Sequence, residues 1–195
     1  MNLPNKLTLM RIILTPIFMA VLYWGFPGAD YAALGIFIIA SLTDLLDGKI
    51  ARKYNLVTDF GKFADPLADK ILVTAAMLWF VEVGRMPAWA LLVVLLREFA
   101  VSGLRMIASD KGRVIAAGWS GKVKTAATMV CVIVMLAIGP MVEEALMAMY
   151  VSSSYPQSRL PILLVDPVCV WVIVLTTLYS GVEYFVKNRD VIASA

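Results

Sequence analysis

Long apolar runs alternate with short polar stretches along the whole chain. A helix needs about 20 mostly apolar residues to cross the hydrocarbon core of a membrane. Six stretches meet this length, and we predict a spanning helix for each of them: residues 7–24, 31–54, 62–83, 87–109, 121–141 and 167–187. The fifth could continue to residue 150, and "SSSYPQSRLP" after it has loop composition. The pattern therefore predicts an all-α integral membrane protein with six transmembrane helices.

The composition supports this prediction. Hydrophobic residues make up 61% of the chain and charged residues 16%, and mean hydropathy is +0.84, whereas a soluble domain is about 45–50% apolar. No polar stretch is long enough for a second fold, so residues 1–195 are predicted to form a single membrane-embedded domain. Lys6 and Arg11 precede the first apolar run as in a signal peptide, but no clear cleavage site follows. We interpret this run as a retained helix.

Most of the 17 lysines and arginines lie on one side of the predicted helices. They lie near the chain termini and in the second and fourth connections, whereas the opposite connections contain only Arg85 and Arg159. Because positive residues favour the cytoplasmic side, both termini are predicted to be cytoplasmic, in a multi-pass protein of the cell membrane. The formal net charge is only +3. Anionic lipid headgroups explain these cations better than nucleic acid does.

The chain contains no histidine, which excludes histidine general bases, histidine metal ligands and Ser-His-Asp triads. Cys131 and Cys169 lie inside apolar runs, where they are predicted to be packing residues with no disulfide or zinc site. A metal ion must therefore be held by carboxylates. Such ligands favour Mg²⁺, Mn²⁺ or Ca²⁺.

The candidate chemistry lies in "DLLDGKIARKYNLVTDFGKFADPLADK", which joins the second and third helices. Asp44 and Asp47 are three residues apart on one helical face, and Asp65 and Asp69 are four residues apart on another. A short connection makes the two helices antiparallel neighbours, so the four carboxylates can converge in one cleft at the cytoplasmic face. Asp59 lies outside this register, and we interpret it as solvated or as a helix cap.

Four clustered carboxylates near a membrane are costly, because each is expensive in the bilayer and their charges repel. Two divalent cations about 3.5–4 Å apart in a water-filled cavity relieve both costs, and oxygen ligands suit Mg²⁺ or Mn²⁺. Gly48, Ala51 and Gly61 leave space on the same faces, and Arg52 suits a phosphate group. A merely solvated connection is the alternative, but four acids in helical register favour a metal-dependent diphosphate site.

The motif Asp44-x-x-Asp47-Gly48-x-x-Ala51-Arg52, followed after eight residues by Gly61-x-x-x-Asp65-x-x-x-Asp69, resembles the signature of the CDP-alcohol phosphatidyltransferases. The resemblance implies the six-helix fold of that family and a homodimer. It also implies that the four aspartates hold two divalent cations, Mg²⁺ or Mn²⁺. Asp69 would in addition be the catalytic base that deprotonates the acceptor hydroxyl.

The resemblance further implies a lipid substrate, CDP-diacylglycerol, whose phosphatidyl group passes to an alcohol while CMP leaves. The segment "PNKLTLMR" resembles the first segment of the family, where residues contact the nucleotide. The residues that this resemblance and the small-residue faces assign to CDP-diacylglycerol are Asn5, Thr8, Gly48, Ala51, Arg52, Thr58 and Gly61.

Several cations beside the acidic cleft favour a phosphorylated acceptor. Arg97 and Arg105 lie near one face of the fourth helix, and Lys122 and Lys124 begin the fifth. The stretches "LREFAVSGLR", "GKVKT" and "SGVEYFVKNRD" resemble the bacterial members of the family that make phosphatidylglycerophosphate, which implies glycerol 3-phosphate as the acceptor. All four cations are candidates for its phosphate. Arg97 could instead pair structurally with Glu98 or an aspartate.

Three alternatives remain open at this point. Within the family, the acceptor could be inositol phosphate, serine or phosphatidylglycerol. Intramembrane carboxylates also occur in cation- or proton-coupled transporters, but the internal repeat typical of transporters is not evident in this sequence. A membrane scaffold without chemistry would leave the acids in register and the glycines beside them without a role.

Overall fold

The computed structural model describes residues 3–54, 59–110, 112, 115, 118–151 and 160–190. These residues form six α-helices, one for each predicted span. In chain order they are α1 (Leu3–Trp24), α2 (Ala29–Tyr54), α3 (Asp59–Glu82), α4 (Ala88–Asp110), α5 (Trp119–Val151) and α6 (Leu160–Lys187). The prediction of an all-α fold is confirmed.

The limits of the last two helices differ most from the prediction. Helix α5 runs for 33 residues to Val151, so the longer of the two predicted limits is close to the observed one. The predicted start of the sixth helix at residue 167 is wrong, because α6 begins at Leu160. Pro161 lies in its first turn, where a backbone N–H has no helical partner, so a proline is tolerated there. Pro167 lies about two turns further on, inside the helix.

Short connections make consecutive helices antiparallel. Helix α1 packs against α2 and α3, α5 packs against α6 and α2, and α4 packs against α6. One end of the bundle therefore contains the start of α1, the end of α2, the start of α3, the end of α4 and the start of α5. The four aspartates and the predicted acceptor cations all belong to this end of the bundle.

The core combines alanine and branched aliphatic side chains with a few large aromatic and sulfur-containing ones. Phe18 of α1 and Phe37 of α2 are fully buried with ring centroids 6.1 Å apart. Met135 of α5 is also fully buried. Cys131 and Cys169 are both buried and free, which confirms that they are packing residues.

Within the part of the chain that the structure describes, length and composition qualify three helical segments as candidate membrane spans: Leu7–Trp24, Trp119–Met147 and Ile162–Lys187. The apolar part of α2, Ala29–Thr43, is shorter. Helices α2, α3 and α4 are less hydrophobic on average than α1, α5 and α6. The reason is that each of the first three carries several charged residues towards the end of the bundle that holds the aspartates.

The opposite end of the bundle is closed by a buried ion pair. Helix α3 ends in a Schellman motif: Gly84 has a φ of 71°, and the N–H groups of Gly84 and Arg85 donate to the carbonyls of Val81 and Phe80 at 3.1 and 2.8 Å. This turn places the Arg85 guanidinium so that it donates twice to the Asp166 carboxylate of α6, each time at 2.7 Å.

The Arg85 guanidinium also donates to the Met135 carbonyl of α5 at 2.7 Å. A Cβ atom at Gly139 would lie 3.0 Å from its Nη1 atom, so glycine allows this close approach. One side chain thus ties the α3–α4 turn to α5 and α6.

Candidate active site

The four aspartates occupy the end of α2 and the start of α3, which follow each other in the chain. Asp44 and Asp47 lie in the last turns of α2, and Asp65 and Asp69 lie in the first turns of α3. The structure describes the helical backbone at these positions but not their side chains, and the same holds for Gly48, Ala51, Arg52, Gly61 and Asn5. Thr58 lies outside the described residues. The helical register that the motif requires is present in the backbone.

The donor set fits a divalent cation by its chemistry. All four side chains offer carboxylate oxygens, which are the ligands that Mg²⁺ and Mn²⁺ prefer. Among the side chains that the structure describes, there is no other group of three or more acidic, cysteine or histidine residues that could hold a metal ion. The aspartates of α2 and α3 stay the metal-binding candidates that the sequence predicts.

The aspartate positions of α3 continue into the wall of a cavity. Asp65, Asp69, Val73 and Met77 follow one another at intervals of four residues, so they lie near one face of the helix. Val73 and Met77 line a cavity of about 550 Å³ between α3, α4 and α5. On this face of α3, Val73 is the first cavity residue after Asp69, one helical turn further along.

We call this space the α3–α4–α5 cavity. Its walls combine polar and apolar side chains, and each of the three helices contributes four of them. The lining residues are Lys70, Val73, Thr74 and Met77, then Val94, Glu98, Ser102 and Arg105, then Lys124, Thr125, Thr128 and Met129. Three cations and one carboxylate therefore face the same volume.

The three cations differ in their surroundings. Lys124 is buried, and its ammonium donates to Glu98 Oε1 at 2.8 Å. The Lys70 side chain is 39% exposed, and its ammonium donates to Ser102 Oγ at 2.7 Å. Arg105 is exposed. Its Nε donates to the Tyr184 hydroxyl at 3.2 Å, and its guanidinium carbon lies 5.6 Å from the centre of that ring. The cavity thus has a buried cation at its wall and more accessible cations at Lys70 and Arg105.

Arg97 lies outside the α3–α4–α5 cavity. Its Nη1 donates to Glu98 Oε1 at 2.9 Å, and its Nη2 donates to Ser180 Oγ of α6 at 2.7 Å. A Cβ atom at Gly181 would lie 3.3 Å from Arg97 Cγ, so glycine leaves room for the side chain between α4 and α6. The structure therefore places Arg97 in the structural pair with Glu98 that the sequence left as an alternative.

The remaining predicted contacts are distributed around the same end of the bundle. Lys122 is exposed on α5 and does not line the α3–α4–α5 cavity. Thr8 is fully buried on α1. Of the four predicted acceptor cations, the structure brings Arg105 and Lys124 together and leaves Arg97 and Lys122 outside.

Two cavity residues were missed by the sequence analysis as possible contacts. Lys70 follows Asp69 directly, and Glu98 accepts from both Arg97 and Lys124. The adjacency of Lys70 to Asp69 was a usable signal, because neighbouring residues of a helix are only about 100° apart around its axis. The contacts of Glu98 with cations depend on how α3, α4 and α5 pack together, and the spacing of residues in the sequence does not predict that packing.

Comparison with known proteins identifies the family of this chain. The family model described as CDP-alcohol phosphatidyltransferase matches residues 1–179. The CDP-diacylglycerol–glycerol-3-phosphate 3-phosphatidyltransferase of Bacillus subtilis (strain 168) is 43% identical over 206 aligned positions, which cover 100% of this chain and 98% of the relative.

Two further relatives carry the same name. The protein of Rickettsia bellii is 33% identical over 184 positions, covering 94% of this chain and 93% of the relative. That of Escherichia coli (strain K12) is 41% identical over 139 positions, covering 66% and 73%. A family match over most of the chain and a relative similar over its full length lead to one conclusion: this chain belongs to the CDP-alcohol phosphatidyltransferase family.

Proposed function

We propose that this protein transfers the phosphatidyl group from CDP-diacylglycerol to glycerol 3-phosphate, giving phosphatidylglycerophosphate and CMP. The observation that carries the proposal is the α3–α4–α5 cavity, which is lined by Lys70, the residue after Asp69, together with Arg105 and Lys124. The names of the relatives in Bacillus, Rickettsia and Escherichia support the same reaction.

On the donor side, Asp44, Asp47, Asp65 and Asp69 hold two divalent cations, Mg²⁺ or Mn²⁺. When bound, these ions supply electrostatic stabilisation of the diphosphate and of the charge on departing CMP. Small side chains near the metal site admit the diphosphate, and polar and cationic side chains contact it. The residues that we assign to CDP-diacylglycerol are Asn5, Thr8, Gly48, Ala51, Arg52, Thr58 and Gly61.

On the acceptor side, the phosphate of glycerol 3-phosphate binds the cations of the α3–α4–α5 cavity. Arg105 suits a phosphate because its guanidinium can donate two parallel hydrogen bonds. Lys70 and Lys124 present ammonium donors to the same volume. With its phosphate held there, the acceptor hydroxyl can reach the Asp69 end of the cavity, where Asp69 accepts its proton as the hydroxyl attacks phosphorus.

The membrane arrangement follows from the substrates. We propose one membrane-embedded domain over residues 1–195, with six spans and both termini in the cytoplasm. The diacylglycerol tails stay in lipid, while the aspartates and the cavity cations face the cytoplasm, from which glycerol 3-phosphate arrives. We also propose a homodimer in the cell membrane and no nucleic-acid partner.

A direct assay tests the reaction. The purified protein in lipid nanodiscs is supplied with CDP-diacylglycerol, Mg²⁺ and one acceptor at a time: glycerol 3-phosphate, inositol phosphate, serine or phosphatidylglycerol. We expect CMP release with glycerol 3-phosphate and loss of that release when EDTA removes the metal. CMP release with another acceptor and none with glycerol 3-phosphate would refute the proposed acceptor.

The variant Arg105→Ala is expected to raise the KM for glycerol 3-phosphate about tenfold or more. A hydrogen bond to a charged group contributes about 1.5–3 kcal/mol, and 1.4 kcal/mol corresponds to a factor of ten. The KM for CDP-diacylglycerol should change less than twofold, because Arg105 lies on the acceptor side. Steady-state kinetics with each substrate varied in turn provides the measurement.

Arg189→Ala is the matched control, since Arg189 is an exposed arginine after α6 that does not line the cavity. We expect this control to leave both KM values unchanged. If Arg105→Ala raised both KM values equally, Arg105 would be a structural partner of Tyr184 and not a phosphate contact.

A further inference from the structure

Glu98 lies at the centre of the charged groups beside the α3–α4–α5 cavity. Its Oε1 atom accepts from Lys124 at 2.8 Å and from Arg97 at 2.9 Å, and its Oε2 atom is 3.6 Å from the Lys70 ammonium. These three cations come from α3, α4 and α5. One carboxylate therefore connects a cation on every helix that forms the cavity.

We propose that Glu98 is a positioning residue for acceptor binding: it holds the ammonium groups of Lys70 and Lys124 where both can donate to one acceptor phosphate. This inference rests on the proposed function, because it takes the cavity to be the acceptor site. Glu98 acts through the lysines. Its own carboxylate repels a phosphate and makes no contact with it.

Burial explains why such a residue is required. The Lys124 side chain is only 7% exposed, and an ammonium removed from water is costly unless a charge or hydrogen-bond partner is near. Glu98, itself 20% exposed, supplies that partner. An ammonium has three N–H donors, so Lys124 can bind Glu98 and still offer donors to a ligand in the cavity.

The Lys70 ammonium is held less tightly. The side chain is 39% exposed, and its Nζ atom lies 3.6 Å from Glu98 Oε2 and 2.7 Å from Ser102 Oγ. A lysine side chain has several rotatable bonds, so without these partners its ammonium would sample many positions. Glu98 and Ser102 together keep it on the cavity wall next to Asp69.

The charge of the cavity also fits the acceptor. The lining residues Lys70, Arg105 and Lys124 are positive and Glu98 is negative, which leaves a net charge of about +2. A phosphate monoester carries about −1.5 to −2 at pH 7. With Glu98 present, the cavity matches a single phosphate monoester and leaves little uncompensated positive charge after binding.

The variant Glu98→Gln keeps the size of the side chain and removes its charge. We expect it to raise the KM for glycerol 3-phosphate about tenfold or more, with the KM for CDP-diacylglycerol and kcat changed less than twofold. A role confined to holding the bundle together predicts equal losses in both KM values or a loss of folded protein. Glu183→Gln is the matched control, because Glu183 also pairs with a lysine, Lys187, but lies outside the cavity.

A double-mutant cycle tests whether Glu98 acts through Lys124. If it does, Glu98→Gln combined with Lys124→Met should raise the KM for glycerol 3-phosphate by clearly less than the product of the two single effects, and any remaining effect of Glu98→Gln acts through Lys70. Multiplication of the two single effects would overturn the inference. If Glu98→Gln does not fold, Glu98→Asp, which keeps the charge, is measured instead. A KM for glycerol 3-phosphate between those of wild type and Lys124→Met would support the inference. A KM as high as that of Lys124→Met would overturn it.

The wild-type acceptor assay separates this inference from the proposed function. If the protein used inositol phosphate and not glycerol 3-phosphate, the proposed acceptor would be wrong. The Glu98 measurements would then be made with inositol phosphate, whose phosphate the same cations would hold. Use of serine alone, which has no phosphate, would overturn both. Use of glycerol 3-phosphate with an unchanged KM in Glu98→Gln would overturn only the role of Glu98.

Discussion

Replacement of Asp69 by asparagine is expected to lower kcat by about 10²–10⁴-fold, the usual effect of removing a general base. An asparagine amide has nearly the same shape as the carboxylate but cannot accept the proton of the acceptor hydroxyl. Asp69 also precedes Lys70 and lies one turn before Val73, both of which line the cavity. Asp69 is therefore the metal candidate nearest in sequence to the cavity residues of α3.

The measurement is CMP release by Asp69→Asn across a range of Mg²⁺ concentrations, so that weakened metal binding is distinguished from loss of the base. Binding of CDP-diacylglycerol at saturating Mg²⁺ should remain largely intact. Asp59→Asn is the matched control, because Asp59 begins α3 outside the motif and asparagine caps a helix about as well as aspartate. Turnover by Asp69→Asn at the wild-type rate would exclude Asp69 as the base.

The largest expected effect on stability comes from Asp166→Ala at the opposite end of the bundle. The Arg85 and Asp166 side chains are 8% and 9% exposed, so this variant leaves a buried guanidinium without its carboxylate. Breaking a buried pair in this way costs about 3–5 kcal/mol. For a chain of this size, that corresponds to a decrease of roughly 10 °C in the midpoint of thermal unfolding.

Thermal unfolding in nanodiscs, followed by intrinsic fluorescence, measures this decrease. Arg85→Met combined with Asp166→Leu removes both charges and should recover much of the loss, because no buried charge remains unpaired. Lys187→Met is the control for an exposed pair: Lys187 is 66% exposed, so loss of its contact with Glu183 should change the midpoint little. A midpoint in Asp166→Ala equal to that of wild type would show that the buried pair contributes nothing to stability.

The helices could be predicted because apolar runs and their polar interruptions are local features. All six predicted segments contain a helix, but the start of α6 was placed at Pro167 and lies at Leu160. Proline signals a helix start in sequence because its missing N–H is harmless in the first turn. Two prolines in one segment make this signal ambiguous, and Pro161 is the one that lies in the first turn.

The predicted acceptor cations illustrate which contacts sequence spacing alone does not predict. Arg97 and Arg105 are eight residues apart on α4, so their directions differ by about 80° around the helix axis. Both arginines contact α6, Arg97 at Ser180 and Arg105 at Tyr184, but only Arg105 also lines the cavity with α3 and α5. Sequence spacing placed the two arginines near one face but could not say which of them would line the cavity.

The sequence by itself determined the membrane-helical class, the helical register of the four aspartates and, through that motif, the family. Each of these depends on residues within a few turns of one another, where helical geometry relates spacing to direction. Only the tertiary structure decided that Lys70, Arg105 and Lys124 share one cavity, that Glu98 connects the cations of three helices, and that Arg85 closes the far end. These contacts depend on which helices pack together, and that packing is determined by the burial of apolar side chains throughout the bundle.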